Sequence, residues 1–473
     1  MTKHNLEDTI VAVSTPVGEG GIGIVRISGA KALEIADKIF VSKDRKKSSK
    51  FGTYTIHYGH IVAPLTNNEK RTTKNETIDE VLLTVMRAPK SYTKEDIVEI
   101  NCHGGVQAVK RVFDIIIKCG ARIAQPGEFT KRAFLNGRID LAQAEAVLDV
   151  IRAKSEGSLK AAIGQLEGNL SKDVTGILDT LIETASHIEA SIDFPDEELD
   201  IIKEGALTIK IDRILGEMKN LIDSFGEGMV LREGVLAVIC GKPNVGKSSL
   251  MNLLLKRDRV IVASVPGTTR DAVEETISLN GLPIRLVDTA GIGEVKDILY
   301  KESSDRSKRY IEKADIVLLM LDASVEMNEE DMDIIRLVEG RKKLVIINKI
   351  DSPAKGITKR GLTPLFKDDI VIEISVEKRK NIELLEKSVL DIVWSGKYTQ
   401  GEGAIVTNAR HKELLDKAFN NMLSVSRSIK GALSPELIAV DLKEAIFNLG
   451  LIVGRSVSED ILDRIFENFC IGK

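Results

Sequence analysis

Residues Gly241-Lys242-Pro243-Asn244-Val245-Gly246-Lys247-Ser248 constrain this chain more than any other stretch. They follow Val235-Leu236-Ala237-Val238-Ile239-Cys240, an uncharged, branched run that reads as a buried parallel strand. They precede Ser249-Leu250-Met251-Asn252-Leu253-Leu254, a good helix start. Strand, glycine-bracketed turn and helix together make a phosphate loop. Gly241 and Gly246 let backbone N–H groups crowd round a β-phosphate, and the helix dipole faces the same anion. The expected nucleotide contacts are Asn244, Val245, Gly246, Lys247, Ser248 and Ser249. Lys247 would reach the β- and γ-phosphates, and the Ser248 hydroxyl would ligate Mg²⁺.

Three further strings follow in the order a guanine-nucleotide switch needs. Asp288-Thr289-Ala290-Gly291 ends the strand-like Ile284-Arg285-Leu286-Val287. The Asp288 carboxylate would hold Mg²⁺ through water, and the Gly291 N–H would sense the γ-phosphate. Asn348-Lys349-Ile350-Asp351 follows the apolar Leu344-Val345-Ile346-Ile347. A carboxylate at Asp351 can accept from two guanine N–H donors, a pair that adenine lacks. Asn348 would read the base too, and Lys349 would lie over it. Ser375, after Ile370-Val371-Ile372-Glu373-Ile374, closes the base pocket. GTP binding and hydrolysis are the chemistry these strings imply.

Two details bear on how water is activated. Ile292 stands where small signalling GTPases carry a water-orienting Gln. Asn244 could ligate a monovalent cation near the β,γ-bridge and neutralise developing charge, or it could simply pin the loop. Thr269, or Thr268, in Gly267-Thr268-Thr269-Arg270-Asp271 is the candidate switch ligand to Mg²⁺.

The chain of 473 residues has room for two to four domains. Its 67 basic and 71 acidic residues balance, so any nucleic-acid contact must be local. Four scattered cysteines (Cys102, Cys119, Cys240, Cys470) argue against a disulfide framework or a zinc site. A polar N-terminus and the lack of a long apolar run point to a soluble, cytoplasmic protein without a membrane partner.

Residues 1–138 mix strands and helices, with Ser42–Lys50 and Thr66–Thr77 expected as exposed loops. From Leu141 the period becomes helical: Leu141, Ala144, Leu148, Ile151, Leu159, Ile163, Leu166, Leu170, Val174, Ile177, Leu181 and Ile188. Asp193-Phe194-Pro195 breaks that run, and a further helix is expected to about Gly226. Leu279-Asn280-Gly281-Leu282 reads as a hairpin turn. Helical spacing resumes after Gly401–Gly403, with Leu414, Leu415, Ala418, Leu437, Val440 and Ala445. The expected division is 1–138, 139–232, 233–396 and 397–473. The nucleotide unit would be inserted into a helical domain whose halves flank it; an ordinary terminal helical domain is the alternative.

The pattern as a whole resembles the MnmE (TrmE) family of tRNA-modifying GTPases, over essentially the whole chain. The resemblance rests on Gly20-Gly21-Ile22-Gly23-Ile24-Val25-Arg26-Ile27-Ser28-Gly29, Ser91-Tyr92-Thr93-Lys94-Glu95-Asp96, Pro126-Gly127-Glu128-Phe129-Thr130, Asp193-Phe194-Pro195 and the terminal Phe469-Cys470-Ile471-Gly472-Lys473. It implies an N-terminal α+β tetrahydrofolate-binding domain, a discontinuous helical domain and an inserted Ras-like α/β G domain. It also implies a homodimer through the N-terminal domains, and a potassium-dependent GTPase working with a flavin-dependent partner. Together they would add an aminomethyl or carboxymethylaminomethyl group to the tRNA wobble uridine, the one-carbon unit coming from folate.

Carried over residue by residue, Arg26, Glu99, Arg138 and Lys473 match folate contacts of the family. Arg138 occupies a position where Lys is also found, so the cation is kept with different geometry. A carboxylate at Glu99 could face the amino and ring N–H groups of a pterin. The cation-binding segments of the family match Asn244 and the loop carrying Ala263, Val265, Thr268 and Thr269. Cys470 would serve the modification reaction as nucleophile, acid or positioning group. One position departs from the family: Tyr300 stands where a Glu helps to orient the attacking water, and Glu302 is the expected substitute. A regulatory GTPase of ribosome assembly is the competing reading, but it leaves residues 1–138 and Cys470 without a role.

Overall fold

A computed structural model describes residues 8–63, 76–193, 204–258, 274–288, 308–353, 357–394, 404–431 and 433–473. The chain packs as two compact units, one of residues 1–148 with 450–473, the other of 149–449.

The first unit is built on a seven-stranded sheet. Its strands are β1 (Ile10–Val13), β2 (Ile22–Ser28), β3 (Phe40–Ser42), β4 (Thr55–Val62), β5 (Thr77–Met86), β6 (Ile97–His103) and β7 (Arg122–Ile123). The order is β3-β4-β5-β6-β2-β1-β7, antiparallel except for β1 against β7. Alternate residues Val25, Ile27, Leu83, Val85, Val98 and Ile100 face helices α1 (Ala32–Ile39) and α2 (Val106–Lys118), the period-2 pattern of a sheet with one covered face. Helix α3 (Glu128–Leu135) carries Arg132, fully buried yet ion-paired with Asp8, Glu95 and Glu128. The start of helix α4 (Leu141–Arg152) packs Leu141, Ala144 and Leu148 on Leu462, Phe466 and Phe469. Ser42–Lys50 is largely the expected exposed loop, with Lys43, Lys46, Lys47 and Lys50 all in solvent, but its serines tie it down. Ser42 and Ser48 are buried, and Ser49 is held by both oxygens of Asp37 and, at its carbonyl, by Arg87. Of the expected Thr66–Thr77 loop only Glu76 and Thr77 are described; both are exposed, and Thr77 begins β5.

The second unit joins a helical layer to a six-stranded sheet. Its strands are β8 (Val235–Cys240), β9 (Glu274–Leu279), β10 (Leu282–Asp288), β11 (Ile316–Asp322), β12 (Lys343–Asn348) and β13 (Ile370–Glu373). They run in the order β13-β12-β11-β8-β10-β9, parallel but for the edge strand β9, the Ras-like arrangement. Strands β8 and β11 are buried at every position, as strands covered on both faces must be. Asn280 (φ 46°) and Gly281 (φ 86°) form the two-residue β9–β10 turn.

Helices α5 (Glu156–Leu166), α6 (Asn169–Asp193), α7 (Glu204–Asp223) and α8 (Phe225–Glu233) precede the sheet, and helix Ala409–Lys430 after it packs on α7. The sheet is therefore an insertion between helices that pack together. The helix expected to end near Gly226 is α7, which ends at Asp223, and the separate helix α8 follows it to Glu233. Gly228 is there for closeness: a Cβ would sit 2.1 Å from the Val406 carbonyl. The expected apolar stripe fails on α5. Leu159 and Ile163 are exposed, while Ser158, Ala162 and Gln165 are buried. Gln165 is needed inside, donating to the Ile405 carbonyl and to Thr407 where the chain leaves the sheet layer. Leu437 and Val440 are also exposed, against the expected stripe; Ala445 is buried.

Candidate functional site

The carboxyl ends of β8, β10, β11 and β12 converge, as binding edges of open α/β sheets do. After β8 the loop turns through Gly241 (φ 151°), Asn244 (φ 65°) and Gly246 (φ 103°) into helix α9 (Lys247–Asp258). Both glycines are forced: added Cβ atoms would lie 2.4 Å from the Met320 carbonyl and 2.5 Å from Asn348 Nδ2. Lys247 is buried, and its Nζ donates to the carbonyls of Gly241 and Lys242, both at 2.8 Å. Burial draws this ammonium below the usual lysine range, and the Asp288 carboxylate opposes that shift. Ser248 Oγ donates to Asp288 Oδ2 at 2.6 Å. Hydroxyl and carboxylate side by side are hard oxygen donors, and they fit the Mg²⁺ expected between them.

A cleft of about 440 Å³ opens beside the loop. Asn244, Gly246, Ser249, Asn348, Lys349 and Asp351 are among its lining residues, so phosphate and base elements share one space. Asp351 is exposed, and its carboxyl is held below the usual range by the Ser375 hydroxyl. Asn348 is buried and bonds in two directions. Its Nδ2 donates to the Val245 carbonyl (2.8 Å), and its Oδ1 accepts the Val376 N–H (3.1 Å). It braces the phosphate loop against the base loop besides standing where a base reader is expected. Lys349, in the left-handed region (φ 64°), donates to Asp322 Oδ2 at 2.6 Å. Burial alone would raise the Asp322 carboxyl; Lys349 and Ser324 outweigh it and hold the group low. Asp322 was not anticipated, although an Asp ending an apolar run, as Asp288 does, is a legible signal. Ala263, Val265, Thr268, Thr269, Thr289, Ala290, Gly291 and Glu302 lie outside the described residues.

The other group of expected residues meets in the first unit. Arg26 and Glu99 face each other across β2 and β6, joined Nε to Oε1 at 2.7 Å. Arg26 Nη1 also donates to the Gly472 carbonyl (3.4 Å), as does Ser14 Oγ (3.3 Å). The terminal strip is held again where Ile471 bridges Pro126, and the Cys470 carbonyl accepts from Gly127 and Lys473 N–H groups. Gly472 (φ 97°) is required, since a Cβ would lie 2.6 Å from the Val13 carbonyl. Cys470 is exposed here, and Arg138 stacks over the Tyr92 ring at 4.7 Å. The Tyr92 ring also has Arg26 at 6.0 Å, and its hydroxyl bonds Thr130. Tyr92 therefore organises both arginines. Among the described residues no group of three or more His, Cys, Asp or Glu is placed to hold a metal. No helix among them is long and apolar enough to cross a membrane.

A Ras-like sheet with a phosphate loop, a serine–aspartate pair and a guanine-type base edge defines a P-loop GTPase, here carried with a separate α+β unit. Two family models match: the MnmE helical domain over residues 141–470 and the TrmE N-terminus, described as a GTP-binding protein, over 9–138. Proteins named tRNA modification GTPase MnmE align end to end. That of Alkaliphilus oremlandii (strain OhILAs) is 46% identical over 471 residues, 99% of this chain and 100% of its own. Those of Carboxydothermus hydrogenoformans (45% over 468 residues) and Alkaliphilus metalliredigens (47% over 468) cover the same shares. The chain belongs to the MnmE family.

Proposed function

We propose that this chain is a potassium-dependent GTPase of tRNA modification. With a flavin-dependent partner it adds an aminomethyl or carboxymethylaminomethyl group to C5 of the wobble uridine. The carrying observation is the joint edge at β8, β10 and β12, where Lys247, the Ser248–Asp288 pair and the Asn348 and Asp351 side chains meet. Lys247, Ser248 and Asp288 would hold the phosphates and Mg²⁺, Asn348 and Asp351 the guanine, and Asn244, with Ala263, Val265 and Thr268, the potassium ion. Thr269 would complete the Mg²⁺ shell. Glu302 would orient the attacking water, and Glu302→Ala slows single-turnover hydrolysis if it does.

The strip at Cys470–Lys473 supports the folate reading, because its Gly472 carbonyl is held by Arg26, which pairs with Glu99, two residues along the chain from the exposed Cys470, while Arg138 shares the Tyr92 ring with Arg26. Bound tetrahydrofolate would supply the one-carbon unit. Glu99 fits as an acceptor for pterin N–H groups, Arg26 orients that carboxylate, and Arg138 and Lys473 supply cations for the acidic tail of a folate. Cys470 is the exposed nucleophile or proton donor beside them. Val41, Ile56, Tyr58 and Leu82 share one exposed face of β3–β5. Such a patch favours a second copy of the chain, as a homodimer through this unit requires. The family role and the absence of a described membrane-crossing helix favour the cytoplasm.

The decisive experiment is nucleoside analysis of tRNA from cells lacking this chain. Loss of the C5 groups at wobble uridine is expected; a nucleoside profile unchanged from the parent's would refute the reading. Equal turnover of the purified chain in sodium and potassium would refute the cation assignment alone.

A further inference from the structure

The phosphate loop carries a second lysine, Lys242, which the nucleotide chemistry leaves unused and which does not line the cleft. Its Nζ lies 2.6 Å from Asp331 Oδ2 and donates to Asn328 Oδ1 at 3.2 Å. Asp331 is fully buried, and its Oδ1 has no hydrogen-bond partner. Asn328 and Asp331 are the two halves of a capping box on helix Glu329–Leu337, each side chain taking the other's backbone N–H. A buried carboxylate needs a cation, so Lys242 is fastened to that helix by both charge and geometry.

The same residue works from its backbone. The Lys242 carbonyl is one of the two that hold Lys247 Nζ. Three residues on, the Val245 carbonyl is held by Asn348. Between these fixed points stand Pro243, with its φ locked, and Asn244 in the left-handed region. We propose that Lys242 and Asp331 are positioning residues that hold Asn244 in place for its monovalent cation, and so set how much potassium the GTPase needs. The inference rests on Asn244 as a potassium ligand. Lys247 depends on the anchor less, because it keeps the Gly241 carbonyl when Lys242 shifts. Upstream of Asn244, the Lys242 side chain ties the loop to the neighbouring helix, whereas Lys247 holds the Gly241 and Lys242 carbonyls from within the loop.

The test is a potassium titration of GTP hydrolysis by the full chain at constant ionic strength, beside GDP affinity. Asp331→Asn is expected to raise the half-saturating potassium about tenfold, roughly the worth of one charge-assisted hydrogen bond. GDP affinity and turnover at saturating potassium should stay within about twofold, because Lys247 still donates to the Gly241 carbonyl. Lys242→Arg keeps the cation facing Asp331 and should retain near-parental potassium dependence. The double variant Lys242→Met with Asp331→Leu replaces the pair by apolar groups and leaves no unpaired charge buried, which guards against a folding defect in the single variant. It should show the same potassium shift. An unchanged half-saturation in both variants overturns the inference. So does a fall in GDP affinity in step with potassium, which would mean general loop collapse. A parent protein indifferent to potassium removes the Asn244 assignment and this inference together, before any variant is made.

Discussion

Gly246→Ala isolates the coupling between the phosphate loop and the base loop. Gly246 has φ 103°, a backbone conformation that costs an L-residue about 1–3 kcal/mol. Its new Cβ would lie 2.5 Å from Asn348 Nδ2, so Asn348 must move. That breaks the 2.8 Å bond to the Val245 carbonyl, buried in the unmodified chain. An abandoned buried acceptor costs about 1–3 kcal/mol. The sum, about 2–6 kcal/mol, divides between free-state stability and nucleotide affinity. Even the lower half of that range, carried by binding, weakens GDP by about 30-fold or more. Fluorescent GDP titration at fixed Mg²⁺ reads the affinity, and a thermal melt of the free chain reads the remainder. A variant that melts with the parent and also binds GDP within threefold of it would refute the brace.

Other perturbations separate the parts of the molecule. At Gly157 a Cβ would stand 2.4 Å from the Gly281 carbonyl, to which the Gly157 N–H bonds at 3.1 Å. Gly157→Ala should therefore speed amide exchange at residue 157 by about tenfold or more, since the hydrogen bond is forced open; unchanged exchange would show the turn is not docked on α5. Gly472→Ala should lift the terminal strip from Val13 and abolish tetrahydrofolate binding while leaving GDP affinity unchanged. Burial pushes the Cys240 thiol up to about 12 and the Cys102 thiol up to about 11. A raised thiol stays protonated below its pKa, so at pH 8 the thiolate fraction of Cys240 is about 10⁻⁴. Maleimide should label native protein first at Cys470, and a fast phase surviving in Cys470→Ser would contradict this.

How far the sequence could be read depended on the range of the contacts. Apolar runs at 235–240, 284–287 and 344–347 are local signals, and each is a strand ending at its expected motif. The β9–β10 turn was equally legible, because Asn-Gly chemistry is contained in four residues. Long-range demands were hidden. Nothing near Gln165 announces that it must clamp residues 405 and 407, so the apolar Leu159 and Ile163 looked like the buried face. Ser42–Lys50 is rich in lysine and serine, yet Asp37 and Arg87 order it from outside. Glu99 and Arg26 carry no periodic signal for their role. Their pairing follows from the β2–β6 register, which only the fold supplies.

The two guanine-edge side chains differ in what else relies on them. Asn348 is a structural tie whose loss would disturb the phosphate grip, whereas Asp351 is exposed, its carboxyl held low first by the Ser375 hydroxyl. With Asp351 as the proposed guanine reader, base preference would be adjustable at that one residue without disturbing the Asn348 tie. Exchanging the acceptor at Asp351 for an amide would suit a purine bearing a carbonyl where guanine has its amino group. That would open a route to a version answering to a nucleotide the cell does not make in quantity.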